Sequence, residues 1–148
     1  RLLIVASSFG SLRSLPGPLH ERFDTDAMSL DDVDATMLAW RDSVVEGRAG
    51  DEGWPEWINI PSKVGQVAAG RVLARERRAA DAKDGTLVAA ICPGLVDTEA
   101  SRPWFDDMSQ AQTPAEAAVA PVRLALDRGA EPSFYGELIQ FGKVIPWR

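Results

Sequence analysis

The feature that most constrains this chain is residues 86–98, TLVAAICPGLVDT. Leu87, Val88, Ala89, Ala90 and Ile91 run on without polar alternation, and Pro93 and Gly94 soon follow. An unalternating apolar run of strand length fits a strand covered on both faces, as in a parallel sheet. Pro93 cannot donate to a ladder and Gly94 lets the backbone turn, so the strand ends there. Open α/β sheets bind ligands outside the carboxyl ends of their strands. Gly94, Leu95, Val96 and Thr98 are thereby placed over a crevice, with an ordinary strand-to-loop turn as the plain alternative.

A chain of 148 residues can bury one core but not two. Apolar residues make up 45% and charged residues 26%, with no apolar run of membrane-spanning length, so a globular domain off the membrane is expected. A net charge of -6 argues against a nucleic-acid partner, which requires basic surface. Cys92 is the single cysteine, which rules out an internal disulfide and suits the reducing cytoplasm. His20 is also alone, so no imidazole or thiolate cluster is on offer to zinc. Arg1 already leads into the apolar run Leu2, Leu3, Ile4, Val5, without a starting Met or leader, which suggests a piece of a longer protein.

Residues 2–7 read as a second buried parallel strand, closed by Ser7, Ser8, Phe9 and Gly10. Residues 11–58 look like an elaboration on the body, beginning with the loop signal Leu15-Pro16-Gly17-Pro18. Ser29 and Asp32 form a capping-box pattern at the head of a helix whose apolar stripe would be Val33, Met37, Leu38, Val44 and Val45. Trp40, Trp54 and Trp57 either glue this segment to the body or, for Trp54 and Trp57, line the mouth of a pocket. A long helix is expected from about Ser62 to Ala82, with Val64, Val67, Ala68 and Val72 at helical spacing. Arg71, Arg75 and Arg78 share one of its faces and read as a solvated stripe paired with acids.

After Thr98, residues 99–112 mix polar and aromatic types, either a mobile loop with Trp104 and Phe105 as anchors or a cover over substrate. Thr113, Pro114 and Glu116 mark a helix start, and Ala117, Ala118, Val122, Leu124 and Ala125 would be the buried side of that helix. Residues 133–147 hold a closing strand and tail.

Residues 92–98, Cys-Pro-Gly-Leu-Val-Asp-Thr, resemble the Pro-Gly-x-Val-x-Thr segment of the short-chain dehydrogenase/reductases, and three further stretches agree. The strand ending Ser-Ser-Phe-Gly resembles the one carrying that family's active-site serine; aligned on Gly10, Ser7 takes its place, with Ser8 as the alternative hydroxyl and Ile4 and Ala6 as departures. A turn role for both serines is the bland reading. Asn59-Ile-Pro-Ser-Lys63 resembles the Tyr-x-x-Ser-Lys that opens the long helix, but Asn59 stands at the tyrosine position. The Thr-Pro-Ala-Glu helix resembles the family's helix before the last strand, while the final Gly-Lys-Val-Ile-Pro-Trp and the long insertion before the long helix resemble the carbonyl-reductase-like members.

The resemblance implies the C-terminal part of a Rossmann-like doubly wound parallel α/β sheet, with a helical insertion at 11–58. Residues 1–148 would form one partial NAD(P)-binding domain, lacking the first βαβ unit and its Gly-rich turn. It implies NADPH or NADH as cofactor, a small-molecule carbonyl or alcohol as substrate, and a monomeric parent because the insertion covers the usual dimer face. Ser7 would orient the carbonyl, Lys63 would hold the nicotinamide ribose, and Pro93, Gly94, Val96 and Thr98 would line the nicotinamide side. The family tyrosine is the general acid, which an Asn amide at position 59 cannot replace. Two readings follow: part of a carbonyl reductase, inactive alone, or a catalytically impaired member that binds nucleotide or a partner. Tyr135, the single tyrosine, and a plain surface role for Lys63 are the remaining alternatives.

Overall fold

The computed structural model describes residues 1–127, 129 and 132–148. Four strands form one sheet in the order β1 (Leu2–Val5), β2 (Val88–Cys92), β3 (Leu138–Gln140), β4 (Lys143–Ile145). The first three are parallel, and β4 folds back antiparallel through Phe141 and Gly142. The helices are α1 (Leu30–Val45), α2 (Asn59–Asp84) and α3 (Pro114–Leu126), joined by short 3₁₀ turns. This is the Rossmann-like α/β architecture that the family resemblance implies, with an antiparallel closing strand in addition.

All five residues of β2 are buried, because strands flank it and helices cover both faces. Alternation assigns its side chains: Ala90 and Cys92 join Val64, Val67, Ala68 and Val72 of α2 in the main core, while Ala89 packs with Leu87 and Ile139 on the α3 side. Burial of the first strand was overestimated. β1 is an edge, and Leu2 and Val5 are 43% and 60% exposed.

The long helix starts at Asn59, about one turn before the expected Ser62, since Pro61 is tolerated in a first turn where its missing N–H has no partner to lose. It ends at Gly85, which takes the left-handed conformation (φ 66°) and donates its N–H to the Asp81 carbonyl. The capping boxes at Ser29/Asp32 and Thr113/Glu116 both form. Hydrogen bonds from Ser29 and Thr113 hold the Asp32 and Glu116 carboxyls below their ordinary range.

Three side-chain expectations need correction. The buried stripe of α1 is Val33, Met37, Trp40 and Ser43, and Leu38, Val44 and Val45 face solvent. On α3 only Ala117 is fully buried, with Leu124 partly covered; Ala118, Val122 and Ala125 are exposed. The arginines of α2 are a clamp rather than a solvated stripe. Arg71 pairs with Glu137 (2.7 Å), Arg75 donates to the carbonyls of Thr25 (2.6 Å) and Met28 (2.7 Å), and Arg78 lies over the Tyr135 ring.

Residues 11–58 add no strand, yet Leu12, Leu15, Leu19, Phe23, Val33 and Trp54 sit in the main core. The tail docks on the start of this segment, where Leu12 N–H and the Ser11 hydroxyl donate to the carbonyls of Trp147 (3.0 Å) and Pro146 (2.7 Å). The body and residues 11–58 therefore share one core.

Candidate active site

A cavity of about 450 Å³ opens beyond the carboxyl ends of β1 and β2. Ser7 and Ser8 reach it from the turn after β1, Asn59 and Lys63 from the first turns of α2, and Gly94, Leu95, Val96 and Thr98 from the corner after β2. The serine, the lysine and the Pro-Gly corner thus meet in one place. Pro93 is not in the wall; its carbonyl instead accepts a hydrogen bond from the Gln112 amide (2.8 Å).

The meeting depends on how closely the first turn approaches α2. A Cβ on Gly10 would lie 2.6 Å from Val67 Cγ2 and 3.0 Å from the Lys63 carbonyl oxygen, so only glycine lets the serine turn settle against the helix start. Ser7 serves both of its readings: its hydroxyl oxygen accepts from Phe9 N–H (3.3 Å) as the cap of the turn, and it lines the cavity. Lys63 Nζ donates to Gln66 Oε1 (2.8 Å), a neighbour on its own helix. The Asn59 side chain has no hydrogen-bond partner among the described residues, whereas its backbone carbonyl accepts from Ser62 Oγ (3.0 Å).

The wall opposite is aromatic. Trp57 meets Phe9 edge-on with centroids 4.8 Å apart and approaches Phe105 at 6.5 Å, and Trp104 completes the rim at 69% exposure. The tryptophans therefore divide between the two roles expected of them: Trp40 and Trp54 pack with Phe23 in the interior, and Trp57 stands at the cavity. Within residues 99–112, Ala100, Ser101, Trp104 and Phe105 line the cavity, and the segment returns to the corner at Gln112. Gln112 bridges Val96, and Ser101 Oγ interacts with the Thr98 hydroxyl (3.0 Å). Asp97 ties the two ends of that segment by donating its N–H to the Gln112 carbonyl (2.8 Å), and its carboxyl is held below its ordinary range chiefly by the hydrogen bond from Arg102 (2.6 Å).

Several lining residues were not singled out from the sequence. Cys92 and Gln140 sit at the floor, with the Gln140 amide donating to the Cys92 sulfur (3.2 Å). Both are the last residues of adjacent parallel strands, which is the signal that could have found them. Tyr135 is remote. Its hydroxyl reaches the Asp81 carboxylate (2.8 Å) and the Ala74 carbonyl (2.9 Å), and burial together with Asp81 pushes it up to about 12. Asp81 lies 22 residues along α2 from Asn59, roughly 33 Å at the helical rise, so Tyr135 cannot stand in for the missing acid. Among the described residues no group of three or more His, Cys, Asp or Glu could hold a metal, and no helix is long and apolar enough to cross a membrane.

In sequence and fold the chain is similar to short-chain dehydrogenase/reductases, and in sequence to carbonyl reductases among them. It is 29% identical over 148 residues to carbonyl reductase [NADPH] 1 of Mus musculus, covering 98% of this chain and 52% of the relative. The Homo sapiens protein of the same name is 26% identical over 140 residues, covering 95% and 49%. Salutaridine reductase from Papaver somniferum superposes with a TM-score of 0.71 at 28% identity, over 92% of this chain and 43% of that structure. The chain thus spans about half the length of the curated relatives it matches. No family model matches it.

Proposed function

We propose that this chain forms the carbonyl and nicotinamide side of an NADPH-dependent carbonyl reductase acting in the cytoplasm on small-molecule carbonyl compounds. The observation that carries the reading is the single cavity shared by Ser7, Lys63, Gly94, Val96 and Thr98 at the carboxyl ends of two parallel strands. Its names come from relatives called NADPH carbonyl reductases, at 26–29% identity. The cavity volume lies within the roughly 300–1,000 Å³ of small-ligand sites, which suits a nicotinamide and a small carbonyl but not a whole dinucleotide. Among the described residues no glycine-rich loop opens a helix toward the cavity, since α2 begins Asn59-Ile60-Pro61. The fit is therefore to the nicotinamide end alone.

NADPH, when bound, supplies the hydride. Ser7 offers a hydroxyl proton to the carbonyl oxygen, and Lys63 offers an ammonium to the ribose hydroxyls. Gly94, which has no side chain, would present backbone to the ring, and Thr98 would add a hydroxyl beside it. Trp57, Trp104 and Phe105 offer apolar surface on the opposite side and favour an apolar substrate body. Asn59 can donate an amide hydrogen bond to the oxygen but cannot deliver a proton. A missing positioned acid costs about 10² to 10⁴ in rate, or roughly 3–5.5 kcal/mol of barrier.

Asn59 also favours a second reading, a family member that binds nucleotide or a protein partner without reducing carbonyls. The two separate on NADPH oxidation measured with a panel of aldehydes and ketones, in the natural protein and in Asn59→Tyr. A natural protein that turns over removes the binding-only reading. A silent natural protein whose Asn59→Tyr variant gains about 10² to 10⁴ in rate establishes it. Silence in both discards the reductase site.

A further inference from the structure

Gly94 is held from both sides by residues that do not line the cavity. It adopts φ +87°, and a Cβ there would lie 2.8 Å from Phe141 Cζ and 3.0 Å from Gln112 Nε2. Gln112 fastens the segment at alternate residues. Its side-chain amide donates to the Pro93 carbonyl (2.8 Å), its N–H donates to the Leu95 carbonyl (2.9 Å), and its carbonyl accepts from Asp97 N–H (2.8 Å). Three hydrogen bonds from one residue thus define the path of residues 93–97.

Phe141 is the more telling of the two. It is the only non-glycine residue with positive φ (49°) among the described residues. With Gly142 (φ 72°) it makes the two-residue loop between β3 and β4, where both positions are left-handed and Asn-Gly is the favoured pair. A phenylalanine there carries a backbone penalty that its own burial does not offset, because the residue is 64% exposed. What its ring does gain is contact with Gly94. A strained residue whose ring rests on the corner of a binding wall points to a role in that wall.

We propose that Gln112 and Phe141 are positioning residues that strap the Pro93-Gly94 corner, fixing the Gly94–Val96 backbone along the cavity; calling this the nicotinamide wall rests on the function proposed above. Neither residue touches the ligand. The strap keeps a glycine-containing corner, which is intrinsically free to move, in the one conformation that leaves the wall flat.

Amide hydrogen exchange followed by NMR tests this in the intact protein, with thermal unfolding alongside. Phe141→Asn supplies a residue suited to the turn, so its Tm should rise, while the Asp97 and Gln112 amides exchange about three- to tenfold faster, as expected for weakening of one amide hydrogen bond. Gln112→Met, which keeps the length but loses the donor, should speed the same two amides without altering Val88–Ile91 in β2. Phe141→Tyr, which keeps the ring, should restore the parent rates. A loop that is merely structural would give the opposite sign, with exchange slowing as the turn is relieved. Parent-like rates at Asp97 and Gln112 in both Phe141→Asn and Gln112→Met overturn the strap. The functional reading fails separately, if NADPH binds Lys63→Met as tightly as it binds the parent.

Discussion

Replacing Gly10 by alanine should disturb the fold and the site through one contact. The new Cβ would sit 2.6 Å from Val67 Cγ2 and 3.0 Å from the Lys63 carbonyl oxygen, against about 3.5–4.0 Å for an ordinary carbon contact. Neither neighbour yields easily, since Val67 is fully buried and the carbonyl belongs to the backbone of α2. The serine turn must then move by about 1 Å from the helix start, at the usual overpacking cost of about 1–3 kcal/mol. For a chain of this size that lowers Tm by about 2–12 °C. Urea unfolding of Gly10→Ala, Val67→Ala and the double variant measures the contact directly. Val67→Ala removes the nearer of the two obstacles, so its cost should be smaller in the alanine-10 background by about 0.5–3 kcal/mol. Strict additivity, or a Gly10→Ala variant as stable as the parent, would refute the claim that this glycine sets the approach of Ser7 to Lys63.

Two further perturbations test the elements that support the site. Arg71→Met leaves the Glu137 carboxylate without its 2.7 Å partner in a half-buried setting and also removes the guanidinium from the Trp147 ring, and should cost about 1–3 kcal/mol in urea unfolding; a change below about 0.5 kcal/mol would return Arg71 to the class of surface residues. Tyr135 has its pKa pushed from 10.0 to about 12, so its protonated form is favoured by folding. That contribution is complete below pH 10 and is lost as pH rises toward 12. Stability of the parent should fall more steeply than that of Tyr135→Phe across this window, and parallel pH profiles would contradict the Tyr135–Asp81 bond.

Local signals carried well from sequence to structure where the backbone alone decides the outcome. The buried run before Pro93 and the two capping boxes depend on a few adjacent residues and formed as read. The convergence of Ser7, Lys63 and Gly94 on one cavity was implied by the family resemblance, and its physical basis is that the ends of parallel strands and the start of the crossover helix lie on the same edge. Residues 11–23 were harder. Leu12, Leu15, Leu19 and Phe23 do recur at spacings of three and four, but Pro16, Gly17 and Pro18 among them signal loop, and the chain solves the conflict with short 3₁₀ turns. Arg71, Arg75 and Arg78 look alike on a helix face, and their partners come from residues 25–28 and 135–137, a tertiary fact with no local trace. The final hairpin was missed because Phe141-Gly142 lacks the Asn-Gly signature of its turn.

The most direct test of the central claim is a titration of the ¹⁵N-labelled protein with reduced nicotinamide mononucleotide, which needs no cradle for a pyrophosphate. Chemical shifts should move most at the amides of Gly94, Leu95, Val96 and Thr98, with Ser7 and Lys63 next, and Lys63→Met should weaken the response. Saturable shifts centred elsewhere, for example along α3 and β3, or no shift at millimolar probe, would contradict it.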